Sequence, residues 1–374
     1  MAHLGVGYRG IWPTNETIAM PFEGQKGHFE ISHPCAILFG AGATRGAFSD
    51  RPFPPPVDKD FFEIAGQIEG RGTRAVARRV LKSVWELYGR TNNIGLEEYY
   101  REVETRARIG SFAKSQNQPR DWDRRRKDLE ELIRRVYIHT TVDMTQTPPR
   151  PLKSPVHQQL LTRLRAGSTI ITFNYDLVIE ESFENGAFWN PKSGFAIPVA
   201  GISHDWPRRW LDGRGVDSPG KSDVHLLKLH GSLGWVQYAN RQVRLKNRPY
   251  VVRRGAMENI SVCPPGWNKP IDRNPYKALW REARLKLESC KSLIVIGYSL
   301  PETDLLARAL FSEVVRMRST RKRYLSHLVL VDPSDVVKER LTSLFTPALG
   351  AYGRIARFGS LKELGKTLGV ERAG

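Results

Sequence analysis

A mixed α/β fold, with a doubly wound parallel sheet interrupted by an all-helical insertion, is predicted by three features of this 374-residue chain. Short apolar, β-prone runs recur along it, and segments with helical spacing precede or follow several of them, the alternation that builds parallel sheets. Several of those runs end in small or polar residues, at the edge where open α/β sheets bind ligands. One long stretch, from about residue 61 to 145, shows helical periodicity alone.

Taken in order, residues 1–33 show no clear period and read as an N-terminal arm. The run from Cys35 to Phe39 is a short buried strand that passes directly into Gly40-Ala41-Gly42-Ala43-Thr44. A Pro-rich loop from Pro52 to Pro56 follows. In the helical stretch Val76, Val80, Val84, Leu87 and Tyr88 share one face, as do Leu129, Leu132, Ile133, Val136 and Tyr137, with Arg and Glu on the others. Its Arg-rich faces read as solvated surface ahead of a partner contact. After Pro148-Pro149 a helix over 156–164 feeds a strand over 168–171, which ends at Thr172-Phe173-Asn174-Tyr175-Asp176. Further strands are expected over 224–229, 293–296 and 327–331 and near 355–358, with helices over 276–287 and 302–315. The domains expected are the arm, a catalytic domain made of 34–60 and 146–374, and a helical insertion over 61–145.

Composition bounds the function. Hydrophobic residues at 40% and charged residues at 26% are ordinary for a soluble globular protein. No apolar stretch approaches the roughly 18 to 20 residues of a membrane-spanning helix, and the first five residues do not open a secretory signal, so a cytoplasmic protein with no membrane contact is expected. Cys35, Cys263 and Cys290 lie far apart and form no CxxC pair, which excludes a disulfide framework or a four-cysteine zinc site and reads as buried free thiols. The formal charge of +19 is built from clusters such as Arg124-Arg125-Arg126-Lys127, Arg208-Arg209, Arg253-Arg254 and Arg321-Lys322-Arg323. Such a field attracts polyanions. No nucleic-acid motif accompanies it, so nonspecific attraction of nucleic acid is read ahead of dedicated recognition.

The chemistry-bearing residues stand at strand ends. Gly40-Ala41-Gly42 lets the backbone turn tightly and offers amide N–H groups to a pyrophosphate. The Asn174 amide both donates and accepts, which suits holding ribose hydroxyls or a water. Asp176 adds a carboxylate two residues on, either for the ligand or as the N-cap of a helix over 177–183, and for this residue alone the cap is the favoured reading. His230, between a strand and a glycine, is a competent general base near neutrality, although strand-end histidines are more often structural. His157, His225 and His327 read as structural. Gly297-Tyr298-Ser299-Leu300 closes another strand, and Val331-Asp332-Pro333-Ser334 brings a carboxylate suited to an adenosine ribose. Asp304 reads as a helix-start cap.

In order, GAGAT (40–44), TFNYD (172–176), LHGS (229–232), GYSL (297–300) and VDPS (331–334) resemble the sirtuin superfamily, whose members show a GAG phosphate loop, a TQNxD string, a histidine-glycine pair, a Gly-Thr/Ser-Ser string and a late strand contacting the adenosine. The resemblance spans 35–60 and about 150–360 and implies a Rossmann-like NAD-binding fold. It is nearest to the bacterial sirtuin-like NAD-hydrolysing effectors of antiphage defence, through Gly234-Trp235 after LHGS and through Pro264-Pro265-Gly266-Trp267. It implies that Asn174 and His230 are the catalytic pair and that Gly40, Ala41, Gly42, Thr44, Gly297, Ser299 and Asp332 contact NAD. Asp176 is a further candidate for that contact. Sirtuin deacylases carry a four-cysteine zinc ribbon between the histidine-glycine and Gly-Thr/Ser-Ser strings, where this chain has only Cys263 and Cys290, and they carry glutamine at the position of Phe173.

The activity expected is therefore hydrolysis of the nicotinamide–ribose bond, giving nicotinamide and ADP-ribose without a metal. The alternatives are a protein deacylase or ADP-ribosyltransferase, a non-catalytic NAD or ADP-ribose-binding regulatory subunit, and a nucleic-acid-binding protein on a nucleotide-binding scaffold. The resemblance also implies assembly: a homo-oligomer is expected, and, in the absence of a Walker phosphate loop or an Argonaute-like segment, a HerA-type ATPase or short Argonaute partner would be a separate polypeptide.

Overall fold

The five apolar residues from Cys35 to Phe39 show no alternation because both faces of their strand are covered, and each is buried. The computed structural model describes residues 31–90, 94–112, 118–147, 149–183, 189–202, 223–237, 242–246, 260–262 and 271–369. In chain order the first elements are β1 (Cys35–Phe39), α1 (Ala41–Ala47), α2 (Phe61–Gln67), α3 (Arg71–Tyr88), α4 (Leu96–Phe112), α5 (Gln118–Thr141), β2 (Val142–Asp143), β3 (Arg150–Pro151) and α6 (Pro155–Leu161). There follow β4 (Thr169–Thr172), α7 (Val178–Ser182), β5 (Val199–Ile202), β6 (His225–Lys228), β7 (Gly231–Gln237), β8 (Val243–Leu245) and β9 (Ile260–Val262). The last third contains α8 (Tyr276–Ser289), β10 (Ser292–Ile296), α9 (Leu305–Thr320), β11 (Leu325–Val331), α10 (Asp335–Phe345), β12 (Leu349–Phe358) and α11 (Leu361–Gly369).

Six strands form the central sheet in the order β12-β11-β10-β1-β4-β6, and every neighbouring pair is parallel. From β1 the chain first builds outward through β4 and β6, then crosses to the other side of β1 for β10, β11 and β12. That reversal opens a crevice at the carboxyl ends of the strands beside β1. This is the predicted doubly wound α/β architecture.

Local chemistry sets the boundaries. The helix expected from residue 302 begins only at Leu305, because Pro301 precedes it and Asp304 caps it through Oδ1, which accepts from Ala307 N at 3.4 Å. Ser334 caps α10 in the same way, accepting from Val337 N at 3.4 Å. A second sheet, β5-β8-β7-β9, is absent from the sequence prediction. Its strand β7 begins at Gly231, immediately after the turn in which the chain leaves the central sheet at β6.

Two apolar clusters organise the interior. The larger one joins the central sheet to α6, α8, α9 and α10 through residues such as Ile37, Ile170, Leu279, Phe311 and Leu341. The second lies among α2, α3, α4 and α5, with Phe61, Val80, Tyr99, Leu132 and Val136, and it takes in Tyr175 and Leu233 from the sheet side. The arginines of the basic run on α5 are paired: Arg124 and Arg125 reach Asp121 at 2.6 and 2.9 Å and Arg126 reaches Glu130 at 2.9 Å along the same helix, and Arg125 also reaches Glu86 of α3 at 3.0 Å. Pairs of this exposed kind contribute little stability. Among the described residues no helix is long and apolar enough to cross a membrane. The arm up to residue 30, Arg208-Arg209, Arg253-Arg254, Cys263 and the stretch 264–267 lie outside the described residues.

Candidate active site

The carboxyl ends of β1, β4, β6, β10 and β11 face a cavity of about 1070 Å³. Each strand end is fixed by a backbone bond that continues the parallel ladder one step beyond the strand. Gly40 N donates to Ile296 O at 3.0 Å, Phe173 N to Phe39 O at 3.3 Å, Leu229 N to Thr172 O at 2.9 Å and Gly297 N to Val331 O at 2.8 Å. The loops carrying the candidate residues are thus extensions of the sheet. Leu96 and Glu97 of α4 and Tyr137 of α5 complete the wall from the helical side.

Asn174 follows β4 and is 6% exposed. Its Nδ2 donates to Gly40 O and to Thr44 Oγ1, both at 3.0 Å, and its backbone N donates to Thr172 Oγ1 at 3.0 Å. Both amide hydrogens are committed to protein acceptors. Of the donor and acceptor capacity expected from the sequence, the acceptor Oδ1 is what this arrangement leaves for the cavity. The Thr44 hydroxyl passes the connection on, donating to Asp176 Oδ2 at 3.1 Å.

Asp176 does not line the cavity. It is 2% exposed and lies behind Asn174, where its Oδ1 accepts from Val178 N at 3.0 Å; the N-cap of α7 is the next residue, Leu177, so the cap expected at Asp176 is displaced by one position. Burial pushes its carboxyl upward, and the charge on Lys228 counters part of that shift. Lys228, on β6, is itself fully buried: its Nζ donates to Asp176 O and to both Glu180 oxygens, at 2.9 and 3.2 Å. Burial likewise pushes the Glu180 carboxyl up against the pull of Lys228.

His230 occupies the corner between β6 and β7 and is 3% exposed. Gly231, at φ +81°, makes the corner possible, since side-chain-bearing residues adopt that backbone conformation only under strain. Trp280 of α8 holds the corner from outside, its Nε1 donating to Leu229 O at 3.3 Å. The imidazole meets Phe173 edge-on at 4.9 Å between ring centroids and lies over Tyr175 at 6.2 Å. Phe173 stacks on Tyr298 at 4.4 Å, and Tyr175 packs against Tyr137 at 5.5 Å. The Nε2 atom faces Asp304 Oδ2 at 3.5 Å, and the same oxygen accepts from the Tyr298 hydroxyl at 3.2 Å. Burial and the adjacent Asp304 push the Tyr298 phenol well above its ordinary range.

The two glycine loops interlock. Gly42 N donates to Gly297 O at 2.9 Å, and a Cβ on Gly40 would come within 2.4 Å of Gly297 O. Gly297 has φ +56°, and a Cβ there would stand 2.2 Å from Ala43 N. The sequence reading assigned the glycines to backbone approach by a ligand. In the structure they also allow approach by one another.

Beyond Gly297 the wall continues with Ser299 and Asp332. Arg340 of α10 donates to Ser299 O at 3.2 Å. Asp332 Oδ1 accepts from Ser334 N at 2.9 Å, and burial pushes its carboxyl up against the counteracting charge of Lys338. Of the ten candidate residues, Ala41, Gly42, Asn174, His230, Gly297, Ser299 and Asp332 line the cavity, whereas Gly40, Thr44 and Asp176 support it from behind. The pairing of Asp304 with His230, the Phe173–Tyr298 stack and the buried Lys228–Glu180 pair were missed. For Asp304 the sequence did carry one signal, its position at a helix start. Among the described residues no cluster of three or more His, Cys, Asp or Glu is arranged to hold a metal ion.

No curated protein matches the chain. Among solved structures it is similar to a mutant Sir2 homologue in complex with ADP-ribose, with 14% identity, coverage of 89% of this chain and 91% of that chain, and a TM-score of 0.35. Residues 168–346, just under half of the chain, match the family profile described as a SIR2-like domain. The matched stretch contains Asn174, His230, Gly297, Ser299 and Asp332 and leaves the glycine loop at 40–44 outside.

Proposed function

We propose that the protein is an NAD hydrolase that cleaves the nicotinamide–ribose bond. The observation that carries this reading is the convergence of Asn174 and His230, from separate strand ends, on one cavity whose far wall holds Asp332. A volume of about 1070 Å³ is ample for a dinucleotide, being at the upper end of ordinary ligand pockets. Water attacks C1′ of the nicotinamide ribose, the bond from C1′ to the ring nitrogen breaks, and its electron pair leaves with nicotinamide. Positive charge builds on the sugar during this step, so an electron-rich acceptor beside it lowers the barrier. Asn174 Oδ1, left as an acceptor by the Gly40 and Thr44 bonds, orients the water or a ribose hydroxyl. His230 takes the proton that the water gives up. The products are nicotinamide and ADP-ribose.

In this reading Ala41, Gly42, Gly297 and Ser299 contact NAD, Asp332 accepts from the adenosine ribose, and Gly40, Thr44 and Asp176 hold these groups in place. Residues 61–145 form an insertion domain on a catalytic domain made of 34–60 and 146–374, a division supported by the helices' own apolar cluster, which Tyr175 and Leu233 of the catalytic domain join. Phe173, stacked on Tyr298, stands where deacylases carry glutamine, which favours hydrolysis over acyl-lysine chemistry. The sequence resemblance to antiphage effectors extends the proposal to a cytoplasmic, homo-oligomeric NAD-depleting effector, with any ATPase or Argonaute partner on a separate chain.

The test is nicotinamide release from NAD by the full chain, compared with Asn174→Ala and His230→Ala. Each substitution is expected to lower kcat by about 10²-fold or more. Turnover equal to that of the unaltered chain in both variants would remove the assignment.

A further inference from the structure

Asp304 meets two separate demands with its two oxygens. Oδ1 caps α9 by accepting from Ala307 N at 3.4 Å. Oδ2 accepts from Tyr298 at 3.2 Å and faces His230 Nε2 at 3.5 Å. The side chains of His230 and Asp304 are 3% and 1% exposed, so bulk water screens the pair little, and both residues line the cavity. Capping alone does not call for this carboxylate, because serine, threonine or asparagine caps a helix about as well. It accounts for one oxygen and leaves the other to the Tyr298 hydroxyl and the ring, at 3.2 and 3.5 Å.

From this geometry we infer that Asp304 is a positioning residue for His230 in the hydrolysis proposed above, and the inference rests on that reading. Phe173 and Tyr175 bound the imidazole by packing, which fixes where the ring lies but selects no ring nitrogen. A carboxylate at one nitrogen makes that selection, and it stabilises the imidazolium formed when the ring accepts a proton. The carboxylate is in turn held by its helix cap, so the orientation of the ring is referred to a rigid element. Of the other ionisable groups of the wall, Tyr298 and Tyr175 present phenols to the ring and Tyr137 stands behind Tyr175, while the carboxylate of Glu97 accepts from Thr303 and those of Asp58 and Glu302 lie further along the wall.

Asp304→Asn retains the shape and the cap and removes the charge, and Asp304→Ser retains a cap with a smaller side chain. For both, measured in the full chain, kcat for nicotinamide release is expected to fall by about 10²-fold with KM changed less than about threefold, and the acid limb of the pH–rate profile to move to lower pH. A purely structural role would leave that limb where it is. An unmoved limb with kcat within about threefold of the unaltered chain would overturn the inference. A readout independent of turnover is the NMR titration of the His230 imidazole, assigned with His230→Gln. The ring is expected to titrate at lower pH in Asp304→Asn, and superimposable curves overturn the inference whether or not the chain cleaves NAD. Shifted curves in a chain that releases no nicotinamide would leave the pairing standing and reject the hydrolase reading.

Discussion

Lys228→Met removes the charge from the most deeply buried ion pair behind the candidate site. Lys228 Nζ lies 2.9 and 3.2 Å from the two Glu180 oxygens and also bonds Asp176 O, and both side chains are at most 1% exposed. Methionine reproduces most of the stem, so the loss is electrostatic. Breaking a buried pair from one side costs roughly 3–5 kcal/mol, because the remaining charge is stranded. The two hydrogen bonds to Glu180, at about 1.5–3 kcal/mol each for charged groups, reach the same range. Burial already pushes the Glu180 carboxyl up, and without Lys228 it rises further. A carboxyl whose folded value exceeds its unfolded one favours the folded state below the unfolded value and loses that advantage as pH rises through the folded value. The variant is therefore nearest the unaltered protein in mild acid and furthest from it above neutrality. Urea unfolding at pH 5 and pH 8, with m held constant, measures the difference. Adding Glu180→Leu is expected to restore stability to within about 2 kcal/mol, since apolar replacement of a whole buried pair is often neutral. A single variant that costs less than about 1 kcal/mol, or a double variant as unstable as the single, would refute the reasoning.

Two further outcomes are open to measurement. Burial pushes the His157 imidazole down to about 4, against an ordinary value near 6.5, so its contribution is present above about pH 6.5 and disappears as pH falls through about 4. The amount is at most about 3 kcal/mol, and unfolding curves from pH 7.5 to pH 4 for the unaltered chain and His157→Phe should diverge by it; parallel pH dependence would count against the assignment. Gly297→Ala places a Cβ 2.2 Å from Ala43 N at φ +56° and should cost at least about 2 kcal/mol, whereas Gly46→Ala, with nothing within 4 Å, should be neutral or stabilising. Equal midpoints for these two variants would contradict the interlock.

The central strands were legible because burial on both faces leaves a local trace: continuous apolar runs such as Cys35–Phe39 and 293–296 are hard to place anywhere but in a covered sheet. Strand-end polarity then exposed Asn174, His230 and Asp332. The second sheet left a weaker trace, since β8 and β9 are only three residues each and their pairing with β7 is set by tertiary contacts. Lys228 ends β6 beside the buried Leu226 and Leu227, and what explains it is Glu180, brought alongside by α7, together with Asp176 O. Asp304 was read as a cap from its neighbours, and its second oxygen was beyond reach because its partner at His230 is distant in the chain. Sequence spacing shows which residues end strands; it does not show which side chains then share a hydrogen.

A cavity assembled from the ends of parallel strands has a consequence in time. Its walls come from residues near 42, 174, 230, 297 and 332, and each joins the others only through pairings across long stretches of chain. Non-local pairings of this kind are slow to form, because the loops between them must close before the contacts are gained. Until β11 docks beside β10, the crevice has no Asp332 wall, and until β10 docks beside β1, neither Gly297 nor Asp304 is in place. A nascent or partly folded chain therefore presents none of the complete site, and its chemistry arrives only with the finished sheet.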